Sequence, residues 1–280
     1  MANFKYSVNS WVFGPITVED LAKRAKRIGL DGLEIDGEPE KYDIGKMKAV
    51  LEENGLAAVD VCGTFQTQER AFNNNNREQR AQAVAYAKSM VDMAVELGTD
   101  KILVVPSQVG AELYVDKETD WKNSVEALTE VARYAKERGV SVMLECVNKY
   151  EVHMVYSLAD GVRMAREIGT GNVGVVADTF HMQLEEKDGI ANAIRNTGTE
   201  WILHQHLGDN NREVPGKGCM DWKEILAALR DIGYEGYLSF EPVPAHMGLT
   251  EVCTGIYDPD VLEDEMTRSL QMLRGIENLW

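Results

Sequence analysis

The chain has 280 residues, with 29 Lys and Arg against 46 Asp and Glu for a net charge of −17, and 44% of it is hydrophobic. A surface this acidic repels phosphate backbones and anionic lipid, so neither nucleic acid nor a membrane surface is expected as a partner. No apolar run nears the roughly 18 residues a membrane-spanning helix needs. Four cysteines, at 62, 146, 219 and 253, form neither a CxxC pair nor a tight framework, and the start MANFKYSVNS carries no apolar signal core. Free thiols in a cytoplasmic protein are therefore expected.

In chain order, FKYSVN reads as an opening strand, and a punctuation then repeats seven times: an amphipathic helix pattern reaches a glycine and an apolar run follows. The instances are RIGLDGLEI at Gly29, ENGLAAVDV at Gly55, ELGTDKILVV at Gly98, ERGVSVMLE at Gly139, EIGTGNVGVV at Gly169, NTGTEWILH at Gly198 and DIGYEGYLSF at Gly233. Each is a helix C-cap feeding a strand. The mean spacing is 34 residues, and eight such units need 272 of the 280 residues. Eight short strands, apolar on both faces, predict a closed parallel (β/α)8 barrel occupying residues 1–280 as one domain. A doubly wound nucleotide-binding sheet would need a phosphate-cradling glycine loop, and neither GxGxxG nor GxxxxGK[ST] occurs. The Asn run at 73–76 and the stretch 242–260 read as long βα loops, expected either to order over a substrate or to supply a subunit contact in a homo-oligomer.

Barrel chemistry sits at the C-terminal ends of the strands. There VSVMLE ends in Glu145, NVGVVAD in Asp178, WILHQH in His206 and EGYLSFE in Glu241, at intervals of 33, 28 and 35 residues, each close to one βα unit. Polar strand ends are common on a wet rim, but four consecutive ones carrying metal-type ligands converge on a single point. Three carboxylates and an imidazole without thiolate suit Mn2+, Mg2+ or Co2+ better than structural zinc. His204 and His206 point to one face of the same strand, so periodicity leaves the choice between them open; the later one lies nearer the mouth.

The segments ECVNKYE (145–151), DTFHMQLEE (178–186), HQHLGDNNREVPGKG (204–218) and SFEP (239–242) resemble the xylose isomerase-like barrels, and among them the ketose 3-epimerases, the D-tagatose and D-psicose 3-epimerase group. The first half adds only the phrase DGLEIDG. The resemblance implies Glu145, Asp178, His206 and Glu241 as ligands of a divalent metal, Mn2+ in the first place. It implies Glu151, His181 and Arg212 as contacts to a small sugar. Cys146 and Val147 depart from the proline-type residues usual in the group after the first glutamate, and the first-half loops, which set substrate choice, differ as well.

Epimerising the carbon beside a ketone means taking a proton from one face and returning one to the other. Glu145 and Glu241, on the fifth and eighth strands, would stand on opposite walls as the two catalytic acid–bases, with the ion as Lewis acid stabilising a metal-bound cis-enediolate. A keto-sugar or keto-inositol dehydratase or lyase would use the same barrel but expel a group. Apurinic endonucleases share the superfamily but need a basic groove. A non-catalytic sugar-binding protein is a further alternative. Of the remaining residues, His181 is expected in the loop after the sixth strand, Glu151 binds a hydroxyl or orients His181, and Asp209 supports His206. PGKG reads as a tight turn, Cys62 and Gly63 leave room for substrate, and Trp11, Phe13 and Phe65 either wall the sugar or pack in the core.

Overall fold

The computed structural model describes residues 3–255 and 257–280. Cys62, Cys146 and Cys219 are free thiols; the side chain of Cys253 lies outside the described residues. The elements run β1 (Lys5–Asn9), α1 (Val18–Ile28), β2 (Gly32–Asp36), α2 (Ile44–Asn54), β3 (Ala57–Cys62), α3 (Arg77–Leu97), β4 (Lys101–Val104), α4 (Lys117–Lys136), β5 (Ser141–Glu145), α5 (Leu158–Ile168), β6 (Val173–Asp178), α6 (Thr179–Glu185), α7 (Ile190–Thr197), β7 (Ile202–Leu207), α8 (Trp222–Asp231), β8 (Tyr237–Phe240), α9 (Leu249–Thr254) and α10 (Pro259–Glu277). All strand pairs are parallel, and β8 closes on β1 with Ser7 opposite Ser239 and Val8 opposite Phe240, completing the expected barrel. Among the described residues no helix is long and apolar enough to cross a membrane.

The seven punctuating glycines all take positive φ, between 67° and 93°. At Gly29 the left-handed turn lets its N–H reach Ala25 and Lys26 carbonyls and so end α1 where β2 must begin. The helices bury one stripe against the strands: α1, for instance, turns Leu21, Ala22, Ala25 and Ile28 inward, each large aliphatic contributing roughly 1.5–3 kcal/mol on full burial.

Inside the strand circle the barrel is divided. Cys62, Leu103, Met143 and Val176, from β3 to β6, form an apolar half. The other half carries Ser7, Glu34, Asp60, His204 and Ser239, all buried. These residues come from β1, β2 and β3 and from β7 and β8, the strands that carry His206 and lead into Glu241, so the mouth of the barrel rests on charge as well as on hydrocarbon.

Two expectations change. The stretch 242–260 is not wholly loop: it contains α9 and the first turn of α10, which Pro259 starts at a position where its missing N–H costs nothing. His181 is not in a loop but in the first turn of α6, because Asp178 caps that helix, its Oδ1 accepting from the N–H groups of Phe180 (2.7 Å) and His181 (3.2 Å). The 215–218 segment is a turn as expected, with Gly216 at φ 91°. Residues 73–76 are loop leading to α3, with Asn76 as its N-cap.

Candidate active site at the barrel mouth

Glu145 and Asp178 are the last residues of β5 and β6, His206 is the penultimate residue of β7, and Glu241 follows β8 directly. One ligand atom from each can be chosen so that all four lie within 4.8 Å of one another, and all four residues are buried. His206 Nδ1 is the hub, 3.1 Å from Glu241 Oε2, 3.3 Å from Glu145 Oε1 and 3.7 Å from Asp178 Oδ2. Despite those neighbours it forms no hydrogen bond, a buried orphan nitrogen facing three carboxylates. That arrangement fits a divalent cation: three converging anions need a positive centre, and oxygen donors with one imidazole suit Mn2+ or Mg2+. Without the ion, burial pushes the His206 pKa down, but Glu241 and Glu34 more than reverse it and hold a proton on the ring. A metal would take that proton's place.

The structure also settles which histidine faces the mouth. His204 lies one layer deeper, with Nε2 2.8 Å from Glu34 Oε1. Glu34 Oε2 is in turn 3.1 Å from His206 Nε2 and takes a bond from Asn9 Nδ2 at 3.2 Å. Burial alone would raise the Glu34 pKa, yet the two imidazoles outweigh it and keep the carboxylate ionised. Glu34 thus fixes the His206 ring with Nε2 inward and Nδ1 toward the three carboxylates. Changing Glu34 to Gln should weaken Mn2+ binding by about 10–100-fold, read by titration calorimetry on folded protein; unchanged affinity would show that the ring is held without it.

Asp209, expected behind His206, serves its own loop instead: its carboxylate accepts from Gly216 N, Met220 N and Trp222 Nε1. Gly218 packs against it so tightly that a Cβ would lie 2.2 Å from Asp209 Oδ1.

The expected sugar contacts form one chain above the metal-type cluster. Arg212 NH1 is 3.1 Å from His181 Nε2, and its NH2 donates to Glu241 Oε2 at 3.3 Å. The left-handed backbone at Arg212, φ 64°, aims that side chain. Asn148, unassigned by the sequence reading, bridges Glu151 Oε1 and His181 Nδ1, both at 2.8 Å from its Nδ2. The buried His181 ring stays neutral, its pKa lowered to about 4, chiefly by burial and with the Arg212 charge adding to it, so it carries one N–H and one acceptor nitrogen.

The sign of the pH effect follows. The unfolded histidine binds a proton at about 6.5 and the folded one only near 4, so stability rises with pH across that window. Acidifying metal-free protein from pH 7 to 4 should cost up to about 3 kcal/mol from this residue alone. His181→Gln should flatten the urea-unfolding profile over that range; an equally steep profile would place the acid sensitivity elsewhere.

The cavity above the cluster measures about 510 Å3 and is lined by Glu145, Glu151, His181, Arg212 and Glu241 at one end and by residues following β1, β2 and β3 at the other. Trp11 lines it and donates from Nε1 to Glu241 Oε1 at 3.3 Å, a polar role added to the expected wall. Phe65 lines it too, whereas Phe13 is buried in the core. Gly63 is required by packing as well as by space, since a Cβ would meet the Phe65 ring at 2.5 Å.

The family model of the xylose isomerase-like TIM barrel matches residues 22–273, and the chain belongs to that family. Its relatives include the D-psicose 3-epimerase of Ruminiclostridium cellulolyticum, 33% identical over 79% of this chain and 76% of that protein. The 3-dehydro-D-guloside 4-epimerase of Escherichia coli is 29% identical over 85% of this chain and 91% of the relative. Among solved structures, D-psicose 3-epimerase from Clostridium cellulolyticum H10 with D-tagatose superposes with a TM-score of 0.87 at 30% identity, covering 98% of this chain and 99% of the other.

Proposed function

We propose that this protein is a divalent-metal-dependent sugar epimerase that inverts the carbon beside the carbonyl of a free ketose or keto-sugar, C3 in a 2-ketose, with Mn2+ as the natural ion. The observation that carries the reading is the pair Glu145, the last residue of β5, and Glu241, directly after β8, both reaching one imidazole nitrogen, at 3.3 and 3.1 Å. The named relatives catalyse inversions next to a sugar carbonyl at C3 or C4, which one two-base site accommodates.

The two carboxylates are unlike. Glu241 is surrounded by donors, with Asn9 Nδ2 and Trp11 Nε1 on Oε1 and Arg212 on Oε2. Burial pushes the Glu145 pKa up to about 7, against the pull of His206. Two carboxylates at one mouth give one group to take a proton and another to return one. In the forward direction Glu241 takes the proton from the substrate carbon, leaving a cis-enediolate, and Glu145 returns one from the other side; the reverse reaction exchanges the roles. The ion, when bound by Glu145, Asp178, His206 and Glu241, supplies Lewis-acid stabilisation of the developing enolate charge. Arg212 and neutral His181 donate to sugar oxygens, and Glu151, steadied by Asn148, accepts from a hydroxyl.

Mn2+-loaded protein incubated in D2O with ketoses and 3-keto-sugars tests the reading by proton NMR. Deuterium should enter the reacting carbon of both epimers. Release of water or an aglycone with an unsaturated sugar would replace it by a lyase, and tight binding without exchange by a sugar-binding protein. Self-association as a homo-oligomer belongs to the same reading and is measured by sedimentation.

A further inference from the structure

The cavity extends well beyond what its reactive end needs. Glu145, Glu151, His181, Arg212 and Glu241 line that end, and the Trp11 indole stands beside Glu241. Past Trp11 the same cavity continues over Asp36, the last residue of β2, and outward between α1 and α2, where Ile16, Val18, Leu21, Tyr42 and Met47 line it. Those helices belong to the outer ring, so this part lies outside the strand circle. A free hexose has twelve non-hydrogen atoms. Even at the roughly 30 Å3 each that water takes in the liquid, it would occupy about 360 Å3, short of the 510 Å3 present.

The lining chemistry changes along the cleft. The reactive end is charged and rich in donors, whereas the outer end is hydrocarbon, with polar groups gathered at the threshold. There Asp36 is held from two sides: its N–H donates to Ser10 Oγ at 2.9 Å and its Oδ2 accepts from Tyr42 at 3.0 Å. Neighbouring Glu38 is anchored by Arg70, with NH2 to Oε2 at 2.8 Å. Lys41, which also lines the cavity, lies 3.8 Å from Glu38 Oε1, so the threshold charges are balanced and select for no anion, while a sugar hydroxyl can donate to Asp36. Apolar walls beyond them reward an uncharged hydrocarbon group and give a bare polyol tail nothing to bind.

We infer that the outer cleft is a subsite for an uncharged, partly apolar substituent, so that the preferred substrate is a keto-glycoside whose sugar ring sits at the carboxylate cluster and whose aglycone lies against Ile16, Val18, Leu21 and Met47. This rests on the epimerase reading and narrows its substrate class.

The test compares two probes on the Mn2+ enzyme, D-fructose and phenyl 3-keto-glucoside, scored by deuterium entry at the carbon beside the carbonyl. Wild-type kcat/KM should favour the phenyl glycoside by at least tenfold. Ile16→Trp fills the outer cleft from a half-buried loop position and should reduce that ratio at least tenfold, mainly through KM. A wild-type preference for free fructose, or an Ile16→Trp ratio equal to wild type in protein with an unchanged melting temperature, would overturn the subsite while leaving the epimerase reading in place. Absence of exchange in every probe would instead remove the epimerase reading, and the subsite with it.

Discussion

Protein stripped with EDTA should exchange no substrate proton, and added Mn2+ or Co2+ should restore exchange in full. Glu145, Asp178 and Glu241 surround His206 Nδ1 within 3.7 Å, and without a cation that centre has no electrophile to stabilise an enolate. Binding to the folded state alone also stabilises it: at a hundred times Kd the gain is about 2.7 kcal/mol, or roughly 5–10 °C in melting temperature for a chain of this size. The expected result is therefore a paired recovery, activity and melting temperature rising over the same range of metal concentration. Full turnover by metal-free protein would end the metal-dependent reading, whatever the thermal shift.

The barrel was legible because its punctuation is local. A glycine at positive φ stands at or just past the end of each helix that feeds a strand, an apolar run follows, and both signals need only a few adjacent residues. The metal-type quartet was legible for a related reason: Glu145, Asp178, His206 and Glu241 each stand at or beside a strand's end, where chain position alone predicts convergence. The residues behind them were not. Glu34 lies within the apolar strand GLEID and Asp60 within AAVDVC, and each could be read locally as an interruption. Their meaning depends on barrel closure, which sets Glu34 beside Asn9 and Asp60 in register and brings it across to His206, 172 residues away in sequence. A charged residue in the middle of an otherwise buried strand was the available signal. Asn148 stood inside the quoted ECVNKYE segment, but its bridge between Glu151 and His181 needs α6 to start at Asp178. Asp209 is three residues from His206 in sequence, but the turn after β7 carries its carboxylate toward Gly216 and Trp222.

Replacing either Glu145 or Glu241 with Gln should abolish net epimerisation, lowering the rate by about 10²–10⁴-fold, the span typical of a lost acid–base group. The two variants should fail differently. Glu241→Gln keeps one acceptor oxygen, for Asn9 and Trp11 or for Arg212 but not for both sets, and cannot take a proton, so exchange should vanish for the epimer whose proton faces that wall and survive for the one facing Glu145. Gln at 145 should give the converse pattern. Each glutamate is also a proposed ligand, so bound Mn2+ must be counted in both proteins before a lost rate is assigned to a lost base. With metal retained, complementary single-epimer exchange would establish two bases on opposite faces. If both variants instead lose exchange in the same epimer and keep it in the other, a single base serves both directions. The proton would then return from another group, with His181, joined to Glu241 through Arg212, as the candidate.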